Sequence, residues 1–197
     1  MSDTERITQL ILHERQGRDR GWWEQLEAAY WPDSRVHLSW YNGSGPGFIA
    51  GSRNMIGRGD TSVHRMSPPV VHVVGDRGYV EAPTGVEFRV TIDGVLVDLV
   101  SRTRLNYRVE RRDGVWKILS LDAIYERDTI TPAVPGTAIT IPQERLAGFR
   151  PALALISYYL QSRGYPVGDN LLGDDQPRAR DAFYAEVLAW LHAGPQR

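Results

Sequence analysis

Residues 70–127, VVHVVGDRGYVEAPTGVEFRVTIDGVLVDLVSRTRLNYRVERRDGVWKILSLDAIYER, contain four runs of residues with high strand propensity. Three short turns separate the runs: Gly75-Asp76-Arg77-Gly78, Asp93-Gly94 and Asp113-Gly114. Glycine supplies the left-handed backbone conformation that a tight hairpin needs, so these turns predict an antiparallel meander. Strands as long as these usually bend or bulge. The predicted strands cover about residues 70–74, 79–92, 95–111 and 115–127.

Helical patterns precede the meander. Ser2 and Glu5 fit a capping box, and an apolar stripe with helical spacing follows them. Gly17 and Gly21 predict a break, after which a second short helix is expected to end at Pro32-Asp33. The chain is therefore expected to begin with two helices.

The segment between these helices and the meander has mixed signals. Apolar and polar residues alternate over residues 35–41, which predicts a strand. The glycine-rich residues 42–47 carry no phosphate-binding pattern and are interpreted as a mobile rim, and residues 53–56 as one helical turn.

The sequence predicts an α+β fold in which helices lie against a curved antiparallel sheet and leave a pocket. Residues 1–130 are expected to form the pocket domain, and residues 131–145 a linker rich in Pro, Thr and Gly. Residues 146–197 are expected to form a C-terminal two-helix extension that packs on the same domain or on a dimer partner. Its helices are predicted at about 146–162 and from an N-cap at Asp175 followed by Pro177.

Composition excludes several classes of protein. The 197 residues are 42% hydrophobic and 24% charged, with a net charge of −1 and no cysteine. Interspersed charges without a basic face argue against nucleic acid or an anionic membrane as the partner. The absence of cysteine excludes disulfides and thiol nucleophiles, and the polar start lacks the apolar core of a signal peptide, so a cytoplasmic location is expected.

Glu14 is the first candidate for chemistry. It continues the apolar stripe of Ile7, Leu10 and Ile11 on the first helix. A carboxylate there must be desolvated or open into a cavity, where it could donate a proton. The alternative is that the helix frays before Glu14 and leaves it in solvent.

His64 is the second candidate, because histidine is the side chain best suited to move protons near neutral pH. No histidine pair has metal-binding spacing, and no Walker loop or dinucleotide fingerprint occurs, so neither metal nor cofactor is expected. The aromatic residues between positions 22 and 41 could line a pocket or fill a core. The polar strand residues Glu87, Asp98, Arg102 and Asp122 are expected more often to face solvent than the pocket.

Several motifs together resemble a known family. Asp19-Arg20-Gly21-Trp22-Trp23, Trp31-Pro32-Asp33, His64 before Pro68-Pro69, and the turn between Arg111 and Ile118 follow one another in order. This order is similar to the SnoaL-like branch of the nuclear transport factor 2-like superfamily, over about residues 5–128.

The resemblance implies a cone-shaped sheet wrapped around the helices, enclosing a mostly apolar pocket. Members that resemble scytalone dehydratase and bile-acid 7α-dehydratase pair a histidine with an aspartate, which map to His64 and Asp19. Glu14 stands where several of these dehydratases carry a tyrosine, and Tyr41, Tyr107 and Tyr125 are possible replacement proton donors. The predicted substrate contacts are Tyr41, Trp40, Trp23, Tyr107 and Arg102.

The resulting hypothesis is a lyase or isomerase without a cofactor, working as a homodimer on a hydrophobic cyclic or aromatic small molecule. His64 and Asp19 would act as the general acid–base pair, with Glu14 or a tyrosine as the acid. The first alternative is a non-catalytic ligand-binding or dimerisation module with the same fold. The second, epoxide opening, would need Asp98, Arg102 and Asp122 to meet in the pocket.

Overall fold

Three long antiparallel strands form the centre of the sheet in the computed structural model, which describes residues 1–194. These strands are β5 (Arg77–Ile92), β6 (Val95–Arg112) and β7 (Val115–Pro132). In the connecting turns, Asp93-Gly94 and Asp113-Gly114, every φ angle is positive, between 47° and 81°. The predicted hairpins are therefore confirmed, and the observed strands are one to five residues longer than predicted.

Five shorter strands complete an eight-stranded sheet with the order β2-β1-β7-β6-β5-β3, in which β4 also pairs with β5 and β8 with β7. The sheet was expected to be antiparallel, but both β1 and β8 run parallel to β7. The β6–β7 register shifts at Arg102/Thr103 and at Arg108/Val109, and such irregularities bend a sheet. The shorter strands are β1 (Tyr30–Leu38), β2 (Tyr41–Ser44), β3 (Val63–Met66), β4 (Val70–Val74) and β8 (Leu172–Gly173).

Helices cover both faces of the sheet. The α-helices are α1 (Asp3–Arg20), α2 (Trp23–Ala28), α3 (Gly45–Gly57), α4 (Gln143–Leu146), α5 (Ala154–Ser162) and α6 (Pro177–His192). Side chains from α1, α3 and α5 join one core with the inner face of β5, β6 and β7. Val187 and Leu191 of α6 pack instead on Tyr79, whose side chain points opposite to that of its core-facing neighbour Val80. Within residues 1–194, no helix is long and apolar enough to cross a membrane.

The first helix is longer than predicted. The capping box of Ser2 and Glu5 is confirmed, and Gly21 with φ 66° caps the C-terminus. Gly17 does not break the helix: a Cβ atom there would lie 3.2 Å from the backbone of Leu26, so glycine permits α2 to pack closely. Asp19 consequently lies in the last turn of α1.

The predicted mobile rim is wrong. Residues 42–47 form the end of β2 and the start of α3, which also absorbs the single turn expected at residues 53–56. The Ser44 side chain accepts a hydrogen bond from the Gly47 backbone N–H and caps α3. A Cβ atom at Gly45 would lie 2.0 Å from the Ser34 Oγ atom, so this glycine serves helix packing.

The C-terminal prediction needs two corrections. The helix expected at residues 146–162 is interrupted between α4 and a 3₁₀ turn at Pro151–Leu153 that precedes α5. Gln176, not Asp175, is the N-cap of α6, and the Asp175 carboxylate is bound by the Arg150 guanidinium. The division at residues 130 and 145 stays a prediction, although β7 continues to Pro132 and α5 packs on β6 and β7.

We predict that Gly45→Ala lowers the free energy of unfolding by about 1–3 kcal/mol, because the added methyl group meets a buried side chain. Gly57→Ala is the matched control at the other end of α3, where nothing lies within 4 Å of the added atom. It should leave stability unchanged or raise it by up to about 1 kcal/mol. Urea denaturation measures both changes, and equal stabilities of the two variants would contradict the packing role of Gly45.

Candidate active site

The inner face of α1 carries four ionisable side chains near its C-terminus: Glu14, Arg15, Arg18 and Asp19. Residues three or four apart lie on the same side of a helix, so all four share the face that packs on the sheet. Glu14 is fully buried, Arg15 and Arg18 are each 3% exposed, and the Asp19 side chain is 10% exposed. The interpretation that α1 frays before Glu14 is therefore wrong.

Glu14 and Arg15 form a buried ion pair. The Arg15 guanidinium donates to both carboxylate oxygens of Glu14. The hydroxyl of Tyr30 donates to Glu14 Oε1 at 2.7 Å, and that of Tyr107 to Oε2 at 3.4 Å. With its oxygens occupied in this way, Glu14 does not line the cavity described below. These contacts give no support to the expectation that Glu14 is the proton donor.

Asp19 holds His64 by two hydrogen bonds. The Asp19 Oδ1 atom lies 2.6 Å from the Nδ1 atom of the His64 ring, and Oδ2 accepts the His64 backbone N–H at 2.7 Å. One bond fixes the ring and the other fixes the strand that carries it, because His64 belongs to β3. The contact ties the end of α1 to the edge of the sheet.

Arg15 contacts the other ring nitrogen of the histidine. Its Nη1 atom lies 3.3 Å from His64 Nε2. Since a guanidinium only donates hydrogen bonds, Nε2 must be the acceptor, and the ring proton of neutral His64 resides on Nδ1, facing Asp19. The two neighbours thus select one tautomer, whose basic lone pair is on Nε2.

The environment also sets the charges of the pair. Burial lowers the pKa of His64 below its usual value, and repulsion by Arg15 and Arg18 adds to this, against the raising effect of Asp19. Burial on its own would raise the pKa of Asp19, but the hydrogen bonds and the charge of His64 outweigh it and lower the pKa. At neutral pH the arrangement is therefore an ionised Asp19 and a neutral His64.

A cavity opens beside His64, and the space between its lining atoms is about 580 Å³, part of which is open solvent. Its wall is mostly apolar, and α5 closes one side with Ile156 and Leu160. Of the five predicted substrate contacts, Trp40 lines it. The lining residues are Arg15, Arg18, Leu38, Ser39, Trp40, Phe48, Met55, Ser62, His64, Val86, Phe88, Ser101, Thr103, Leu105, Ala123, Tyr125, Ile156 and Leu160.

The other four predicted contacts lie elsewhere. The Tyr41 hydroxyl donates to the Ser44 carbonyl, and Tyr107 donates to Glu14. Trp23 stacks against a surface arginine, and Arg102 is exposed on the outer side of β6. These positions give no support to a role in this cavity.

The polar strand residues face outward. Glu87 pairs with Arg65 and Asp98 with Arg89 on the surface, while Asp122 lies 3.9 Å from the ring of His37. None of the three acidic residues lines the cavity. The structure therefore does not bring together the cluster that epoxide opening would need.

Of the three tyrosines predicted as proton donors, Tyr125 lines the cavity. Its hydroxyl oxygen accepts the Ser39 backbone N–H at 2.8 Å, and burial raises its pKa to about 12. A hydrogen bond with the Ser39 side chain opposes the rise in the pKa of this hydroxyl.

Sequence reasoning missed Arg15 and Arg18, whereas a C-terminal extension that covers the pocket was one of its alternatives. The spacing of Arg15 and Asp19, four residues apart in one helix, was an available signal. It could be used only once α1 was known to continue past Gly17.

We predict that Glu14→Gln lowers the free energy of unfolding by about 3–5 kcal/mol, because it leaves the buried Arg15 charge without its partner. Glu87→Gln is the matched control in an exposed ion pair and should cost at most about 1 kcal/mol. Urea denaturation of both variants checks this. A Glu14→Gln variant as stable as the control would show that the pair is not a structural requirement.

Comparison with known proteins agrees with this architecture. A PEP2-like protein of Fusarium vanettenii is 23% identical over 185 residues, which cover 88% of this chain and 79% of the relative. The crystal structure of a hexachlorocyclohexane dehydrochlorinase, LinA-type3 of Novosphingobium barchaimii, has a TM-score of 0.56 at 19% identity, over 71% of this chain and 94% of its own. A protein assigned as a scytalone dehydratase from Novosphingobium aromaticivorans has a TM-score of 0.53 at 19% identity, over 71% and 93%.

The two solved structures show a shared fold. The family model described as "SnoaL-like domain" matches residues 1–122, which include α1, His64 and the beginning of β7. The chain belongs to the SnoaL-like family.

Proposed function

We propose that this protein is a lyase or isomerase that works without a cofactor on a hydrophobic cyclic or aromatic small molecule. The observation that carries the proposal is His64, fixed by Asp19 in one tautomer at the wall of a mostly apolar cavity. A neutral imidazole in such a place is suited to act as a general base.

In the proposed reaction, His64 Nε2 removes a proton from a carbon atom of the substrate. Asp19 stabilises the imidazolium that forms, because its carboxylate is already hydrogen-bonded to Nδ1. Arg15, which contacts Nε2 in the free protein, must give way to the substrate C–H group.

Tyr125 is the proposed general acid. A phenol with a pKa of about 12 stays protonated at neutral pH, and its oxygen is held by the Ser39 N–H group. When a C–O bond breaks, the phenol gives its proton to the leaving oxygen, so one proton is taken by His64 and one is given by Tyr125. Exchange with water restores both groups. The solved relatives are named a dehydrochlorinase and a dehydratase, and both names denote eliminations.

One observation favours the alternative of a non-catalytic binding module. The lone pair of His64 Nε2 faces the Arg15 Nη1 atom at 3.3 Å, so the base is already engaged in the free protein. A module of this kind would bind its ligand in the same cavity and release it unchanged.

We predict that His64→Ala lowers kcat/KM by at least about 100-fold on a substrate found by screening hydroxylated cyclic compounds, because the general base is lost. Asp19→Asn should also lower it, since an amide does not stabilise the imidazolium. Mass spectrometry of the product and initial rates measure both effects.

His72→Ala is the matched control, because His72 is exposed and stacks on Tyr79 away from the cavity. It should keep the wild-type rate. Full activity of His64→Ala with a substrate that is turned over would refute the role of His64. Binding without conversion across the whole panel would favour the binding module.

The pH dependence provides a separate prediction. Only neutral His64 is a base, so kcat/KM should rise with pH through a pKa below 6.5 and then remain level through neutrality. The pKa of Tyr125, about 12, predicts no alkaline decline below about pH 10. A profile that still rises between pH 7 and 9 would contradict this assignment.

A further inference from the structure

Arg18 is a buried cation of the cavity that the proposed reaction does not use. It is 3% exposed and lines the cavity. Its Nη2 atom lies 3.7 Å from the Met55 sulfur, which is a weak acceptor. Its Nη1 atom is buried without a hydrogen-bond partner among residues 1–194. An unpaired buried charge is costly, so its position needs an explanation.

The carboxylates on α1 do not supply the missing partner. Both oxygens of Glu14 are bound by Arg15, and the two oxygens of Asp19 accept the two N–H groups of His64. Burial, followed by repulsion from Arg15, lowers the pKa of Arg18 to about 10 in spite of the attraction of Asp19. The side chain is still charged at neutral pH, but its charge is incompletely compensated in the free protein.

The rest of the wall selects the kind of ligand. Phe48, Phe88, Ile156 and Leu160 present apolar surface to the same space. A dianion such as a phosphate group would need a second free cation, and the charge of Arg15 is already paired with Glu14. The surroundings fit a single negative charge on an otherwise apolar molecule.

We propose that Arg18 binds the carboxylate group of an apolar, monoanionic ligand in this cavity. This ligand is a substrate only if the proposed function is correct, but its binding to Arg18 does not depend on catalysis. Arg18 thus determines specificity for charge, while the apolar wall determines the shape of the ligand.

The test uses 2-naphthoate and 2-naphthamide, which have the same shape and differ in charge. Calorimetric titration of the wild-type protein at pH 7 should give at least about tenfold tighter binding of the carboxylate than of the amide. The reason is that a hydrogen bond between two charged groups adds to the binding free energy. In Arg18→Met this preference should disappear, with the affinity for the amide within about twofold of wild type. Arg18→Lys keeps the positive charge and should keep part of the preference.

Arg18→Met should also fold, because it removes an unpaired buried charge, and its Tm should be no lower than that of the wild type. Equal affinity of wild type for the two probes, or a preference that persists in Arg18→Met, would overturn the inference. Failure of both 2-naphthoate and the smaller benzoate to bind at millimolar concentration would overturn it as well.

His64→Ala separates this inference from the proposed function. If Arg18 binds anions, the carboxylate preference should persist in His64→Ala, whether or not the protein is an enzyme. Loss of turnover in His64→Ala together with no preference for carboxylates would refute the role of Arg18 and leave the enzyme in place. A carboxylate preference together with unchanged turnover in His64→Ala would support the role of Arg18 and refute the proposed role of His64 in catalysis.

Discussion

The structure depends on one constraint: α1 presents charged side chains to the interior, and every buried charge needs a partner. Glu14 and Arg15 satisfy each other, with the hydroxyls of Tyr30 and Tyr107 closing the shell around the carboxylate. Asp19 meets the N–H groups of His64 and thereby joins α1 to β3. The pairing of Asp19 with His64 compensates the burial of the Asp19 charge and also fixes the orientation of the imidazole. Of the four ionisable side chains on the inner face of α1, Arg18 has an Nη1 atom without a hydrogen-bond partner among residues 1–194, and it lines the cavity.

The C-terminal segment completes the cavity that these charges border. Asp128 at the end of β7 accepts the backbone N–H groups of Leu155 and Ile156 at 3.1 and 2.9 Å, which holds the first turn of α5 against the sheet. The other end of α5 is held by Asp60, which accepts hydrogen bonds from Arg163 at 2.7 Å and Tyr165 at 2.6 Å. Residues beyond the SnoaL-like match thus contribute to the site, and variation there would change which molecules fit.

The meander could be predicted from the sequence because its signals are local: alternation, and Asp-Gly turns in which the required backbone conformation is encoded by two residues. Asp19 and His64 followed from the resemblance, since no local pattern joins positions so far apart. The glycines of α1 and α3 misled the prediction, because Gly17 and Gly45 serve close packing that only the neighbouring element explains. Arg15 and Arg18 were missed for a related reason: charged residues usually indicate a solvated face. The homodimer and the cytoplasmic location stay predictions.

The central claim is that His64 is an oriented neutral base. Nitrogen-15 NMR of the imidazole side chains tests it without any substrate, and the chain has only 5 histidines to assign. The account predicts a neutral His64 ring at pH 7 with its proton on Nδ1, and loss of that fixed tautomer in Asp19→Asn. A His64 ring that is protonated at pH 7, or that carries its proton on Nε2, would contradict the account.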